Sequence, residues 1–407
     1  MASTPNTIAT LNGLFKEAYA DKVKQLIPDG VILLNELPFL PKEKQLGNQF
    51  HQPVILAQEH GFSYGGTDGT AFALSDAIAG QVKDAVVQGY EFVLRTQISY
   101  GAVSRSMNSA TAFESATKLI VANMLRSFSK RMEIMLMYGN KGLGAVATNS
   151  NPDIILSAAS FAPGIWSGGV NMRVEIKDVT GATSRVVAPV TAVNLETRTL
   201  TLGTAISGSI ASVVATDILW HQGAYGNEFS GLEDVISKAS GNLYGISVTA
   251  FDLWKGVTHD AGSTDLSFQT IQRALSKAVA KGLDSEVLAL VNPKTWANLM
   301  TDQASLRNYD YSYDSKMEQK GSQAITFYSQ NGKIEIKPSI YCKEGHCFLL
   351  PREEIMRVGS TEITFKRPGY GDEFFRELDS NAGYELRAYS DQALFVACPA
   401  KCVLIQN

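Results

Sequence analysis

One run of the chain constrains its architecture more than any other: residues 108–138, NSATAFESATKLIVANMLRSFSKRMEIMLMY. Phe113, Ala116, Ile120, Met124, Phe128, Met132 and Met135 recur at spacings of three and four, which brings them to one face of an α-helix. Asn108 or Ser109 can cap its start, and Gly139 and Gly142 supply the stop. At about 1.5 Å per residue the run makes a rod of roughly 45 Å, a spine against which other elements must pack. KGLGAVA, at 141–147, approaches a dinucleotide fingerprint, but that motif needs a strand before it and a helix after it. Behind a long helix it reads as a helix stop.

Upstream, QGYEFVLRTQISYG at 88–101 alternates as an extended strand does. Tyr90, Phe92, Leu94, Ile98 and Tyr100 fall on one face, and Glu91, Arg95, Gln97 and Ser99 on the other. The flanking sequence is loose and rich in glycine, so the expected cover for the apolar face is another subunit. Between Pro53 and Met107 this stretch and VILAQEHGFSYGG flank a small-residue middle, TDGTAFALSDAIAGQ. The pattern predicts a long hairpin with a mobile tip. Two strands alone are marginally stable in water, so the hairpin needs a surface to lie on.

Elsewhere the periods change. Residues Ile8 to Ile27 suggest an amphipathic helix stopped at Pro28-Asp29-Gly30, and the proline-spaced stretch after it reads as an arm lying on something else. From about Phe161 to Trp220 the composition turns to Val, Thr, Ser and Gly, with VNMRVEIKDV, SRVVAPVTAV, TRTLTL and SVVATDILW as short strands of an all-β insertion. LSFQTIQRALSKAVAKG is then a helix closed by Gly282, EVLALV a buried strand and NPKTWANLMTD a turn into a further helix. The chain ends in strands, and the whole is α+β.

With 407 residues, 45% hydrophobic and 19% charged, the chain is long enough for two or three ordinary globular domains. A net charge of -4 gives no electrostatic footprint for nucleic acid, so any DNA contact is expected to be weak and non-specific. The N-terminus lacks the pattern of a signal peptide, no run is long and apolar enough to span a membrane, and four cysteines make no disulfide scaffold. Synthesis in a reducing cytoplasm is the expectation.

Three constellations of polar residues bear on chemistry. Cys342, His346, Cys347, Cys398 and Cys402 could supply zinc ligands, but neither CKEGHC nor CPAKC has the knuckle spacing, and the cysteines read as small hydrophobes. Glu59, His60 and Asp68 read as solvated or interfacial polar groups of the hairpin loop. Arg126, Lys130 and Arg131 read as the charged face of the spine, available to a phosphate-rich interior. The nucleotide-loop, zincin and nucleophile-elbow motifs do not occur. No catalytic, cofactor or metal residue is expected.

EVLALVNPKTWANLM, GKIEIKPSIYCKEGHCFLLPREEI and FFRELDSNAGYELRAYSDQALFVACPAKCVLI, in that order, resemble the major capsid proteins of tailed bacteriophages with the Hong Kong 97 fold. GLEDVISKASGNLYGIS followed by DLWKG is similar to a further pattern of those proteins. The resemblance implies an N-terminal arm at 1–50, an extended loop at 51–106, spine helix and peripheral domain at 107–160, and an inserted β subdomain at 161–222. A mainly axial domain at 223–340 and a return through axial to peripheral domain at 341–407 complete it.

Function, in turn, is implied: hexamers and pentamers of an icosahedral head around double-stranded DNA, assembled in the host cytoplasm, with a virion location and no enzymatic activity. The implied partners are copies of the chain, a portal, a separate scaffolding protein in place of a cleaved built-in one, and a cement protein. In that setting Phe62, Tyr64, Tyr90, Phe92, Leu94, Ile98 and Tyr100 would lie between subunits. Lys83 is the one lysine of the extended loop, so covalent crosslinking of the loop is not expected. The alternatives are an encapsulin-like cargo shell, and a cytoplasmic α+β enzyme with a site built from His60, Asp68 or His346.

Overall fold

A computed structural model describes residues 27–28, 30–40, 48–106, 116–262, 265–301, 325–366, 375–378 and 381–406. Most of the helix expected from Ile8, the start of the expected spine and Phe113 lie outside these. The described chain opens with a single helical turn, α1 (Leu33–Glu36), then β1 (Phe50–Ala57) and β2 (Gln81–Val87), which pair antiparallel with Phe50 opposite Val87 and Ile55 opposite Val82. β3 (Tyr90–Ser99) and α2 (Tyr100–Ser106) lead to the spine, α3 (Ala116–Tyr138). Its 23 described residues span about 35 Å. Met124, Phe128, Met132 and Met135 are buried as the period demands, and from Met132 to Tyr138 the helix is buried all round.

The spine ends at a close approach. Gly139 donates to the carbonyl of Met135, and a Cβ at Gly139 would come 2.3 Å from the carbonyl oxygen of Phe229, so the position excludes side chains. The left-handed turn falls on Asn140 (φ 64°) as well as Gly142 (φ 84°). The sequence after it is a strand rather than a loop. β4 (Gly144–Ser150), β5 (Asp153–Leu156), α4 (Pro163–Trp166), β6 (Arg173–Lys177), β7 (Ser184–Asn194), β8 (Thr199–Leu202), β9 (Ser207–Gly208) and β10 (Ile218–His221) follow.

Hydrogen-bonded neighbours run β6-β10-β4-β5-β8-β7, and β7 pairs back onto β6. Six antiparallel strands therefore close into a barrel, with β9 attached to β7, and closure leaves few open edges. The interior holds Val146, Ile154, Val174, Ile176, Val186, Ala188, Leu200 and Leu219. The all-β unit thus begins at Gly144, earlier than the composition shift at 161, because β4 and β5 supply two of the barrel staves.

Beyond the barrel come α5 (Leu232–Ser237), the two-residue ladder of β11 (Asn242–Leu243) and β12 (Ile246–Ser247), β13 (Val257–Asp260), α6 (Phe268–Val279), β14 (Val287–Val291) and α7 (Pro293–Thr301). β15 (Ile325–Ser329), β16 (Gly332–Pro338), β17 (His346–Pro351), β18 (Ile355–Thr364), β19 (Phe375–Glu377), β20 (Gly383–Val396) and β21 (Val403–Gln406) complete the described chain. A mixed six-stranded sheet has the order β13-β21-β17-β14-β16-β15. Its middle strand β14, VLALV, is wholly buried, as a continuous apolar run in a covered sheet should be. α6 lays Phe268, Ile271, Ala274, Leu275 and Ala278 on this sheet, with Ser267 accepting the Thr270 N–H at the helix start.

A second sheet is organised by the 14-residue β20, which pairs with β18 and β19 and also, from Gly383 to Gln392, with β3. β3 therefore does not partner the hairpin strand β1. The hairpin's true return strand is β2, and β3 belongs to a sheet whose centre lies almost 300 residues later in sequence.

Candidate functional site

The most unusual surface of the molecule is the distal part of the β1–β2 hairpin. Its base is docked: Phe50, Val54 and Leu56 face the core, Phe50 meets Phe395 edge-on at 5.3 Å, Ala85 and Val87 are buried, and Val86 N–H bonds to the carbonyl of Tyr244. From Gln58 to Asp84, by contrast, every residue is exposed except Ser63 and Gly80, which are half-buried. The two branches stay side by side. His60 N–H bonds to Ile78 O at 3.1 Å and Ser75 N–H to Ser63 Oγ at 2.6 Å.

This ribbon carries large apolar side chains into water: Phe62, Tyr64, Phe72, Leu74, Ile78 and Val82, with Tyr64 86% and Leu74 82% exposed. Scattered exposed apolar residues are ordinary, but a run of them on one slender projection marks a contact surface. Phe62 and Tyr64, expected between subunits, are 66% and 86% exposed. Phe72, Leu74 and Ile78 share that exposure without a clear signal in the sequence, because the small residues around them in TDGTAFALSDAIAGQ mask the alternation of Phe72 and Leu74. Lys83 stands exposed on β2, opposite Val54 in register.

The polar residues of the ribbon serve it locally. The Asp68 carboxylate accepts from the Thr70 hydroxyl at 3.0 Å and from its N–H, bonds that hold its pKa below the usual range. Glu59 and His60 are exposed. At the base, His51 Nδ1 lies 2.5 Å from Asp84 Oδ2 across the two strands.

The apolar face of β3 has a different cover from the one its pattern suggests. Phe92 stacks on Phe128 of the spine at 4.5 Å between ring centroids and 18° between planes, Leu94 packs on the same core, and Ile98 is buried. The cover is the chain's own spine helix, brought there because β3 is hydrogen-bonded to β20. Tyr90 at the strand start and Tyr100, in α2 rather than on the strand, remain 39% and 60% exposed.

The spine's basic cluster divides likewise. Arg131 is half-buried in an ion pair with Glu228, so its charge is spent within the chain. Lys130 gives its ammonium to the Ser167 carbonyl at 2.6 Å, and burial lowers its pKa to about 8. Arg126 is exposed.

His346 lies in β17 inside a buried polar knot, away from the ribbon that carries His60 and Asp68. Lys343 Nζ donates to Glu233 and to the Gly142 carbonyl, each at 3.2 Å, and sits 4.0 Å over the ring of Tyr138, whose hydroxyl accepts the Lys343 N–H. Burial pushes Glu233 up, but Lys343 and then His346 pull it down further, and the net shift is downward. Burial lowers His346 to about 4. The knot is neutralised from within and spends its charges on holding the spine's end to α5 and β17.

Cys342, Cys347 and Cys402 are buried, and burial pushes their thiols up, Cys342 to about 12. Cys342 Sγ is within 3.3 Å of the His346 carbonyl. Among the described residues no group of three or more His, Cys, Asp and Glu is placed to hold a metal ion. No described helix is long and apolar enough to cross a membrane.

No family model and no curated protein matches this sequence. Solved structures match it along almost its whole length. A chain of the cyanophage A-1(L) capsid asymmetric unit is similar with a TM-score of 0.55 and 13% identity, covering 98% of this chain and 99% of that one. The capsid of a native GTA particle gives 0.53 at 8% identity, and a chain of Mycobacterium phage Bobi gives 0.50 at 11%, each covering 99% of both chains. At such identities the likeness speaks to the fold alone.

Proposed function

We propose that this chain, which has the fold of tailed-phage capsid proteins, is a structural subunit that closes a shell by overlapping copies of itself. The observation that carries the reading is the wet apolar ribbon from Gln58 to Asp84, on a chain similar in fold to solved capsid chains. In this reading the hairpin is the extended loop, α3 with the β20 sheet the peripheral layer, the six-stranded sheet with α6 and α7 the axial one, and the barrel an insertion. Phe62, Tyr64, Phe72 and Leu74 lie against a neighbouring copy, with Tyr90 and Tyr100 at the edge of the same contact.

Burying one such side chain stabilises a contact by about 1.5 to 3 kcal/mol, and closed symmetry repeats that contact around every capsomer. Individually weak contacts then suffice. The shell is an icosahedral head of hexamers and pentamers around double-stranded DNA, non-enzymatic, located in the virion, and completed by a portal, a separate scaffolding protein and a cement protein. In this reading Arg126, exposed on the spine, faces the packaged DNA.

Electron microscopy of the purified chain tests the reading. Closed particles of megadalton mass are expected, and a compact species of a few subunits overturns it. Nucleic acid inside particles from infected cells supports a genome container, whereas protein cargo in its place marks an encapsulin-like shell.

A further inference from the structure

Strand β3 buries one face against the spine and leaves the other to water. Glu91, Val93, Arg95 and Gln97 alternate with Phe92, Leu94 and Ile98, and all four are exposed. Register carries this outer face across the sheet. Val93 stands opposite Tyr389 of β20 and Arg95 opposite Arg387, while Arg376 of β19 stands opposite Glu385. Like charges set opposite one another in a ladder repel, so Arg95 and Arg387 need an anion between them. Glu385 supplies it: its side chain is 5% exposed, and its carboxylate bonds Arg95 at 2.9 Å and also Arg387. Arg376 donates to the Tyr389 hydroxyl at 2.7 Å, a neutral partner. Three guanidinium groups thus share one carboxylate, on a chain whose overall balance is -4.

The arginine end is the open part of this face. At the other end Asp391 stands opposite Glu91 and accepts the Ser360 hydroxyl, and a Cβ at Gly89 would come 2.0 Å from its carboxylate. Farther along the same alternation, Phe395 is covered by Phe50 of the hairpin base. The chain's own hairpin therefore closes one end of the face and then departs from it, since the ribbon beyond Gln58 stands in water. Val93 is left 51% exposed, and the side chains of Arg95 and Arg387 57% and 36%.

The ribbon has the opposite character. From Gln58 to Val82 its acidic residues are Glu59, Asp68 and Asp76, with no lysine or arginine, set among Phe62, Tyr64, Phe72 and Leu74. A guanidinium presents a planar fork that fits a carboxylate, and Val93 and Tyr389 offer apolar surface beside it. A DNA backbone would meet the arginines but leave that apolar pair unused. We propose that the arginine end of the β20 sheet is the seat for the acidic, apolar ribbon of a second copy of this chain. The seat rests on the shell reading, since an assembling chain is what brings a second ribbon to it.

The test assembles full chains, half of them isotope-labelled, with p-benzoylphenylalanine in place of Phe72, and maps the photo-crosslinks by mass spectrometry. Crosslinks joining labelled to unlabelled chains are expected on β3, β19 or residues 383–389 of β20. Closed particles whose crosslinks fall on another surface overturn the seat and leave the shell reading standing; a chain that never closes particles overturns both. In assembly reactions Glu59→Lys with Asp76→Lys, both exposed positions, should lower the yield of particles, Arg376→Glu should lower it too, and the three substitutions together should recover it. Undiminished yield in the ribbon variant overturns the seat, as does a loss that the combination fails to reverse. Arg376→Glu particles that close normally but retain less DNA overturn it as well and give the arginines to the genome. Should Arg376→Glu not fold, Arg95→Gln takes its place with a smaller expected loss, and an unchanged yield there counts equally against the seat.

Discussion

Phe92 and Tyr64 are both aromatic residues of the segment between the arm and the spine, and the structure assigns them opposite roles. Phe92 is half-buried and stacked on Phe128, itself 1% exposed. A fully buried phenylalanine truncated to alanine costs about 3–5 kcal/mol; halving that for partial burial and adding the lost ring pair gives about 2–4 kcal/mol for Phe92→Ala. For a chain of 407 residues each kcal/mol lowers the melting temperature by roughly 1.2 °C. Phe92→Ala should therefore melt about 2–5 °C lower.

Tyr64→Ala, at 86% exposure, should change stability by less than about 0.5 kcal/mol and leave the melting temperature within about 1 °C of the parent. It should nevertheless reduce the yield of closed particles. Scanning calorimetry of unassembled subunits and sedimentation of assembly reactions separate the two effects. If Phe92→Ala melts with the parent yet fails to assemble, the ring belongs between subunits and the intrachain assignment is wrong. If Tyr64→Ala assembles normally, the ribbon is not the clasp.

Three further outcomes follow from the interior. Arg131→Met leaves the Glu228 carboxylate, 9% exposed, without its cation and should destabilise the fold by about 3 kcal/mol; a urea midpoint equal to the parent's would contradict the ion-pair assignment. A thiol reagent at pH 8 should modify the folded chain slowly and at Cys398 first, since burial raises Cys342 to about 12 and leaves Cys398, half-buried, at about 11; rapid reaction of all four would show the core to be open. His346 is lowered by burial from 6.5 to about 4, so below about pH 6.5 the unfolded chain takes up a proton that the folded chain refuses. Stability is then lost as pH falls from about 6.5 to about 4, by about 3 kcal/mol for this group, with His221 adding a similar loss. Denaturant midpoints measured across that window should fall less steeply in His346→Gln, and an unaltered slope would refute the assignment.

Much of the fold can be read from local pattern. The period of Met124, Phe128, Met132 and Met135 marks the spine, the apolar run of Val287–Val291 marks a covered strand, and Ser267 with Gly282 brackets α6, because each depends on neighbours a few residues away. The alternation in β3 shows correctly that one face is apolar. It cannot show what lies across from it, since that depends on β20, and the same pattern suits a neighbouring subunit or the chain's own helix. Glu133 gives no local signal either. On the spine it looks like one more acidic residue, and the N–H groups its carboxylate accepts, of Ile32, Leu33 and Leu34, stand about a hundred positions earlier.

By itself, then, the sequence determined that the spine and α6 are helices and that β3 and β14 are strands, which of their faces avoid water and what class of protein its last strands resemble, since these follow from short-range periodicity and side-chain chemistry. Tertiary structure alone decided that Phe92 is satisfied at home while Tyr64 is not, that Arg131 is spent in an ion pair with Glu228, and that six strands beginning at Gly144 close into a barrel. The physical reason is that pairing and burial are set by which distant segment best excludes water from a given face, and the local pattern of that face does not identify the segment.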